Sequence, residues 1–86
     1  MKTPRYTIAE SFPDLKESFH FLKMHDNHFR TILAEYEKID DIIDRVEDGL
    51  EVMEQLILEN MKKERIILKD KIYNMLVNHK LNDKKN

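Results

Sequence analysis

Two long apolar stripes of helical period, separated by the only glycine in the chain, limit the fold more than any other feature of the sequence. In the first stripe, apolar residues recur at spacings of three and four from Phe29 to Val46, which places them on one face of a helix. A second stripe runs from Leu58 to Met75. Gly49 lies where the first stripe ends and can adopt the left-handed conformation that closes a helix. The pattern therefore predicts two long helices joined by a short turn.

The expected packing of these two helices follows from the short connection between them. Helices joined by a short turn lie antiparallel, with their apolar stripes in contact. A turn centred near Gly49 would place Ile43 near Leu58 and Phe29 near Ile72, so that the stripes meet in register. We therefore expect an all-α fold, an antiparallel helical hairpin with coiled-coil character.

A shorter helix is predicted before the hairpin. Ser11 can cap its start, and Pro13 fits its first turn, where the missing N–H has no cost. Apolar residues then follow at helical spacing, namely Leu15, Phe19 and Leu22. A polar break comes next, and Asp26 or Asn27 can cap the following helix.

These patterns predict one helical domain between two flexible ends. Residues 1–10 show no clear period and are interpreted as a flexible arm, whereas residues 80–86 form a polar, lysine-rich tail. The domain between them spans residues 11–79. Its predicted helices cover about residues 11–24, 27–48 and 52–79.

Size and composition point to how such a domain is stabilised. A chain of 86 residues forms one domain at most and buries only about 60% of its unfolded surface. Disulfides are excluded because there is no cysteine. A core this small usually needs further support, so we expect long helices, an oligomer, or both.

Charge and hydropathy bear on the expected surroundings of the protein. The formal net charge of −2 gives no general attraction to nucleic acid or to anionic membranes. No apolar run approaches the roughly 18 residues of a membrane span, and no apolar segment of a secretory signal follows the first residues. We therefore expect a cytoplasmic protein without membrane partners.

Several short blocks of sequence resemble a known family. The longest is Met61-Lys62-Lys63-Glu64-Arg65-Ile66-Ile67-Leu68-Lys69-Asp70-Lys71-Ile72, and upstream of it lie Phe12-Pro13, Leu22-Lys23, Phe29, Ile39-Asp40 and Glu47. In order and spacing they resemble the YdcH-like family, small bacterial proteins that form a domain of unknown function. The resemblance covers about residues 12–76, with one departure at Lys71, where the family usually carries Glu. It implies a helical hairpin with coiled-coil character and no enzymatic activity.

The two long helices carry opposite charge. Acidic residues outnumber basic ones in residues 29–48, and the reverse holds in residues 61–80. Asp40 and Arg65 lie on or beside the apolar stripes, and Arg65 stands where the heptad pattern expects an apolar residue. We predict a partly buried ion pair between them, with the structural role of setting the helix register.

The last helix has more apolar residues than one buried face requires. The surplus residues lie roughly opposite the second stripe, and they are Leu56, Ile66, Ile67, Tyr73 and Val77. The first helix can cover Tyr73 and Val77, which leaves the other three without a partner in the hairpin. Exposed apolar patches mark interaction sites, so this set is the predicted interaction surface.

Two other kinds of binding site have weaker support. A basic stripe on the last helix (Lys62, Lys63, Arg65, Lys69 and Lys71) is the basis for nucleic-acid binding as the alternative function. The acidic helix beside it should neutralise much of its charge, and few aromatic residues are available to stack on bases. The other candidate is a histidine cluster, His20, His25 and His28, which lacks a cysteine or a clear fourth ligand, so no metal is expected.

The sequence favours binding over catalysis. It has no cysteine nucleophile, no glycine-rich phosphate loop and no Ser-His-Asp set on a scaffold that could hold one. We therefore expect a protein that is not an enzyme and uses no cofactor. The predicted function is a helical protein–protein interaction or self-association module, which forms a homodimer or a higher helical bundle or binds another protein.

Overall fold

The computed structural model describes residues 8–84, with side chains as far as residue 82. Two 3-10 turns, Ala9–Ser11 and Pro13–Leu15, lead into the helical domain. Its three α-helices are α1 (Lys16–His25), α2 (Asn27–Glu47) and α3 (Gln55–Lys84). Over residues 8–84 there is no β-strand, and α2 packs closely against α3. The all-α hairpin predicted from the sequence is confirmed.

Local hydrogen bonds fix both ends of α2. Asp26 caps its start, because the side-chain Oδ1 accepts a hydrogen bond of 3.0 Å from the backbone N–H of Phe29. At the other end, Gly49 has a positive φ of 79°. The N–H of Leu50 donates to the Arg45 carbonyl at 2.9 Å, and the N–H of Gly49 donates to the Val46 carbonyl at 3.1 Å. These paired bonds form a Schellman motif, which ends the helix as the glycine predicted.

The connection between the long helices is longer than a tight turn. Residues 48–54 separate α2 from α3. Side-chain contacts join Asp40 to Arg65 and Glu47 to Lys62, so the two helices run antiparallel. The contact between Asp40 and Arg65 is the one expected from the sequence. Ile43 and Leu58, which were expected to lie near each other, are both buried.

One hydrophobic core joins α1, α2, α3 and the segment before α1. Phe29, Leu68, Ile72 and Leu76 are fully buried where α2 meets the middle of α3. The whole cluster comprises Ile8, Leu15, Phe19, Leu22, Phe29, Ile32, Leu33, Tyr36, Leu68, Ile72 and Leu76. Full burial of such a side chain contributes roughly 1.5–3 kcal/mol, so this cluster is the main source of stability.

Helix α1 packs on its own hairpin, against the end of α2 and α3 distant from the connection. The Phe19 ring meets the Phe29 ring edge to face, with centroids 5.4 Å apart. Across from α1, the ring Nδ1 of His79 lies 2.9 Å from the hydroxyl oxygen of Ser18. Lys80 Nζ also donates to the Asp14 carbonyl at 3.0 Å. These contacts attach α1 to the last turns of α3.

Several element boundaries differ from those expected. Ile8 is buried in the core, so residues 8–10 of the predicted arm belong to the folded domain. Pro13 begins a 3-10 turn, and α1 starts only at Lys16. Helix α3 continues to Lys84 and so includes most of the predicted tail, where Lys80 contacts Asp14 in the turn before α1. The rest of the arm, residues 1–7, and residues 85–86 of the tail lie outside the described residues.

Candidate interaction surface

The side of α3 that points away from α2 carries large apolar side chains in exposed positions. Relative exposure is 65% for Leu56, 67% for Ile66, 49% for Ile67 and 45% for Tyr73. On the opposite side of the same helix, Ile72 is fully buried. We call the exposed side, over residues 56–77, the outer face of α3. Four of the five residues predicted as an interaction surface are thus exposed together on one helix.

Val77, the fifth residue of the predicted surface, is half-buried and packs against the core. The segment before α1 contributes to this cover. The ring of Phe12 lies 5.5 Å from the ring of Tyr73, and Phe12, Leu15 and Val77 line one shallow depression of about 250 Å³. The outer face therefore ends in an apolar hollow at the Val77 end, whereas Ile66 and Ile67 stand clear of it.

A second exposed apolar group lies at the tip of the hairpin. Leu50 and Val52 are exposed in the connection, and Ile57 is exposed in the first turn of α3. Sequence reasoning did not include these three residues, although they lie beside Leu56 in the chain. The signal was available: apolar residues from Leu50 onward are too closely spaced to share one helix face. The tip extends the exposed apolar surface beyond the predicted set.

The predicted ion pair is formed between α2 and α3. Arg65 Nη1 donates to Asp40 Oδ1 at 3.0 Å, with side-chain exposures of 31% and 19%. Toward the hairpin tip, Lys62 Nζ lies 3.3 Å from Glu47 Oε2. Both contacts cross the groove between the helices, so they bear on pairing and register and not on the outer face.

The structure separates the basic stripe into paired and exposed parts. Lys62 and Arg65 turn toward the acidic residues of α2. Lys69 lies over the Phe12 ring, with its Nζ 5.9 Å from the centroid. Lys63 and Lys71 are exposed on α3. The stripe is therefore not one continuous cationic surface.

The three histidines considered as metal ligands are exposed around the junction of α1 and α2. The ring of His25 lies against the ring of Phe21 in a tilted arrangement, with centroids 4.5 Å apart. Within the part of the chain that the structure describes, no group of three or more His, Cys, Asp or Glu side chains could hold a metal ion.

An open cleft of about 700 Å³ lies between α1 and the end of α3 and was not predicted from the sequence. Ser18 is buried at its wall and contacts His79, which also stacks on Phe21 with ring centroids 4.7 Å apart. No short motif marks this pair, because its members are far apart in sequence. The stacking and the buried hydroxyl indicate packing of α1 on α3.

None of the helices within residues 8–84 combines the length and the apolar character needed to cross a membrane.

The hairpin geometry can now be compared with known proteins. A family model described as a protein of unknown function, DUF465, matches residues 29–76, which is more than half of the 86-residue chain. The chain belongs to the DUF465 family. The matched segment begins at Phe29 in the core and ends at Leu76, so it contains most of α2, the connection and most of the outer face. Searches of curated proteins and of solved structures returned no match. The resemblance noted in the sequence is confirmed, and the family description assigns no function.

Proposed function

We propose that this DUF465 protein is a helical protein–protein interaction or self-association module that binds through the outer face of α3. One observation carries the proposal: Leu56, Ile66 and Ile67 are exposed on a helix whose opposite side already forms the core. Burial of apolar surface is favourable by about 25 cal/mol per Å², so a partner that covers these side chains gains free energy. Contiguous exposed apolar patches on small proteins mark such sites.

The hairpin favours binding because it presents this face already formed. Helix α3 is held along its buried side by α2, and its last turns contact α1 through His79 and the turn before α1 through Lys80. A preorganised surface loses little conformational entropy when a partner docks. Only side chains such as Ile66, and not the backbone of α3, have to be ordered. An amphipathic helix or a second helical hairpin is the complementary shape.

Nucleic-acid binding through the basic stripe is the weaker proposal. Its members Lys62 and Arg65 contact acidic residues of α2, and Lys69 lies over an aromatic ring, which leaves Lys63 and Lys71 to meet phosphates. A protein that makes few phosphate contacts binds nucleic acid weakly, and its affinity changes little with salt concentration. A steep loss of RNA or DNA affinity with salt, reduced by Lys63→Ala with Lys71→Ala, would favour this function over protein binding.

Site-specific photo-cross-linking in living cells tests the proposed function. A photoreactive amino acid at Ile66 samples the outer face, and the same group at Glu37, an exposed residue of α2, is the matched control. We expect covalent protein adducts from position 66 well above those from position 37. Equal yields at both positions would contradict an interaction function for the outer face.

A further inference from the structure

Along the outer face of α3, apolar and charged residues follow one another in an order that is similar from either end of the helix. Its central row repeats every seven residues, a spacing that keeps side chains nearly in line along a helix. This row consists of Leu56, Lys63, Asp70 and Val77. Read in either direction, the row begins with an apolar residue, has two opposite charges in the middle and ends with an apolar residue. Ile66 and Ile67 lie midway between the two charges.

We infer that the outer face pairs with the outer face of a second copy of this chain, antiparallel about a two-fold axis that passes beside Ile66 and Ile67. The inference rests on the proposed function and names the partner of that same surface. A two-fold interface uses one patch twice, so each contact occurs in duplicate. Lys63 of each copy then faces Asp70 of the other, and Leu56 faces Val77.

Charge decides the orientation. A parallel pair would set Lys63 against Lys63 and Asp70 against Asp70, and like charges across an interface are unfavourable. The antiparallel pair converts both repulsions into attractions. Both side chains are exposed in the single chain, and Asp70 receives a long contact of 3.5 Å from the side-chain amide of Asn74 in its own helix. They are therefore available to a second copy.

The shape of the surface fits the same arrangement. At the Val77 end, the open depression is lined mainly by apolar residues, among them Phe12, Tyr73 and Val77, together with Ser11 and Asp14. The antiparallel pair brings Leu56 of the second copy to this end, where its exposed side chain can enter the hollow. In the centre, the exposed isoleucines of the two copies cover one another. Every large apolar side chain of the predicted surface then has an apolar neighbour.

Charge reversal with measurement of the oligomeric state tests this pairing. The full chain and its variants are followed by light scattering after size exclusion, over a dilution series from about 1 mM to about 1 µM. We expect a concentration-dependent dimer. Lys63→Glu or Asp70→Lys alone should raise the dimer dissociation constant at least about tenfold, because each places like charges in contact twice. The double variant should restore it to within about threefold of the wild type.

Controls separate this effect from folding and from general charge. Lys71→Glu changes the net charge equally but lies off the central row, so it should leave the dissociation constant nearly unchanged. Thermal unfolding followed by circular dichroism checks that each variant folds. A wild type that is monomeric throughout the dilution series would overturn the second copy as partner. A dimer whose dissociation constant is unchanged by either single charge reversal would overturn the antiparallel pairing.

The outcomes also distinguish this inference from the proposed function. If the chain stays monomeric while position 66 still yields protein adducts in cells, the outer face binds a different protein and only the homodimer fails. If position 66 yields no adducts above the α2 control, the proposed function fails as well. Dimerisation with rescue by the double reversal of Lys63 and Asp70 supports both.

Discussion

The ion pair between Asp40 and Arg65 is the contact whose loss we expect to have the clearest effect on stability. It joins α2 to α3 at 3.0 Å, and both side chains are largely shielded from water. Breaking a fully buried pair costs about 3–5 kcal/mol, whereas an exposed pair is worth about 0–1 kcal/mol. This pair lies between those limits. We expect Asp40→Ala to lower the free energy of unfolding by about 2 kcal/mol, because it leaves Arg65 without its carboxylate in the groove.

The neighbouring residue provides a matched control. Asp41 also forms an ion pair in α2, with Arg45 at 3.3 Å, but both side chains are more than half exposed. Asp41→Ala removes the same chemical groups and should cost less than about 0.5 kcal/mol. For a domain of this size, each kcal/mol shifts Tm by roughly 4–8 °C, so the expected difference between the two variants is large.

Urea unfolding followed by far-UV circular dichroism measures both variants. A double-mutant cycle of Asp40→Ala with Arg65→Ala isolates the interaction, with an expected coupling of about 1–2 kcal/mol. Equal stability of the Asp40→Ala and Asp41→Ala proteins would refute the argument that partial burial of the pair sets its contribution. A coupling near zero would show that Asp40 acts through other contacts.

Three further predictions concern the core and the ends of α2. Ile72→Ala should lower the free energy of unfolding, measured by chemical denaturation, by about 2–5 kcal/mol, because Ile72 is fully buried. Ile66→Ala should lower it by less than about 0.5 kcal/mol at a concentration where the chain is monomeric, because Ile66 is exposed. Similar losses for the two variants would contradict the assigned faces of α3. Gly49→Ala should lower the unfolding free energy by about 1–2 kcal/mol, because a φ of 79° strains a residue with a Cβ even where the space around it is open. Gly49→Asn should cost less, since Asn tolerates the left-handed conformation better than Ala does. Asp26→Ala should cost about 1 kcal/mol through loss of the helix cap, while Asp26→Asn should retain most of the stability in the same thermal melt.

The parts of the fold that depend on local sequence could be predicted. The apolar period of α2, its cap at Asp26 and its termination at Gly49 are each encoded within a few residues, and the structure shows all three. The short connection at Gly49 predicted the antiparallel hairpin, and the family resemblance around residues 61–72 implied the same fold. Local hydrogen bonding and helix periodicity were sufficient for these features because neither requires knowledge of distant residues.

Features that depend on distant residues were not predictable in detail. The connection, residues 48–54, is longer than one glycine turn suggests. Ile8 packs in the core, and His79 contacts Ser18, although the residues in contact are far apart in sequence. No local pattern marks either contact. The tip residues such as Val52 were also missed, since their exposure follows from where α3 begins.

Helix α3 is apolar on two sides, and the side predicted from the sequence to face α2 is the buried one. A helix that is apolar on two sides gives a weak helical moment, and the sequence of α3 by itself does not rank the sides. Helix α2 resolves the choice because it has a single apolar stripe, which can cover only one side of α3. The side that holds Ile72 is the buried one, and Arg65, which interrupts its apolar residues, contacts Asp40 of α2.

The outer face of α3 carries charged residues among its apolar ones, which suits a reversible contact with a partner. Lys63 and Asp70 interrupt the outer face between Leu56 and Val77, so water still reaches charged groups at each turn when no partner is bound. Such interruption weakens association but specifies its orientation, as polar positions do in coiled coils. In the proposed dimer, folding and association would depend on different residues of one helix. A change at Ile66 should alter binding without altering stability, and a change on the core side should do the reverse.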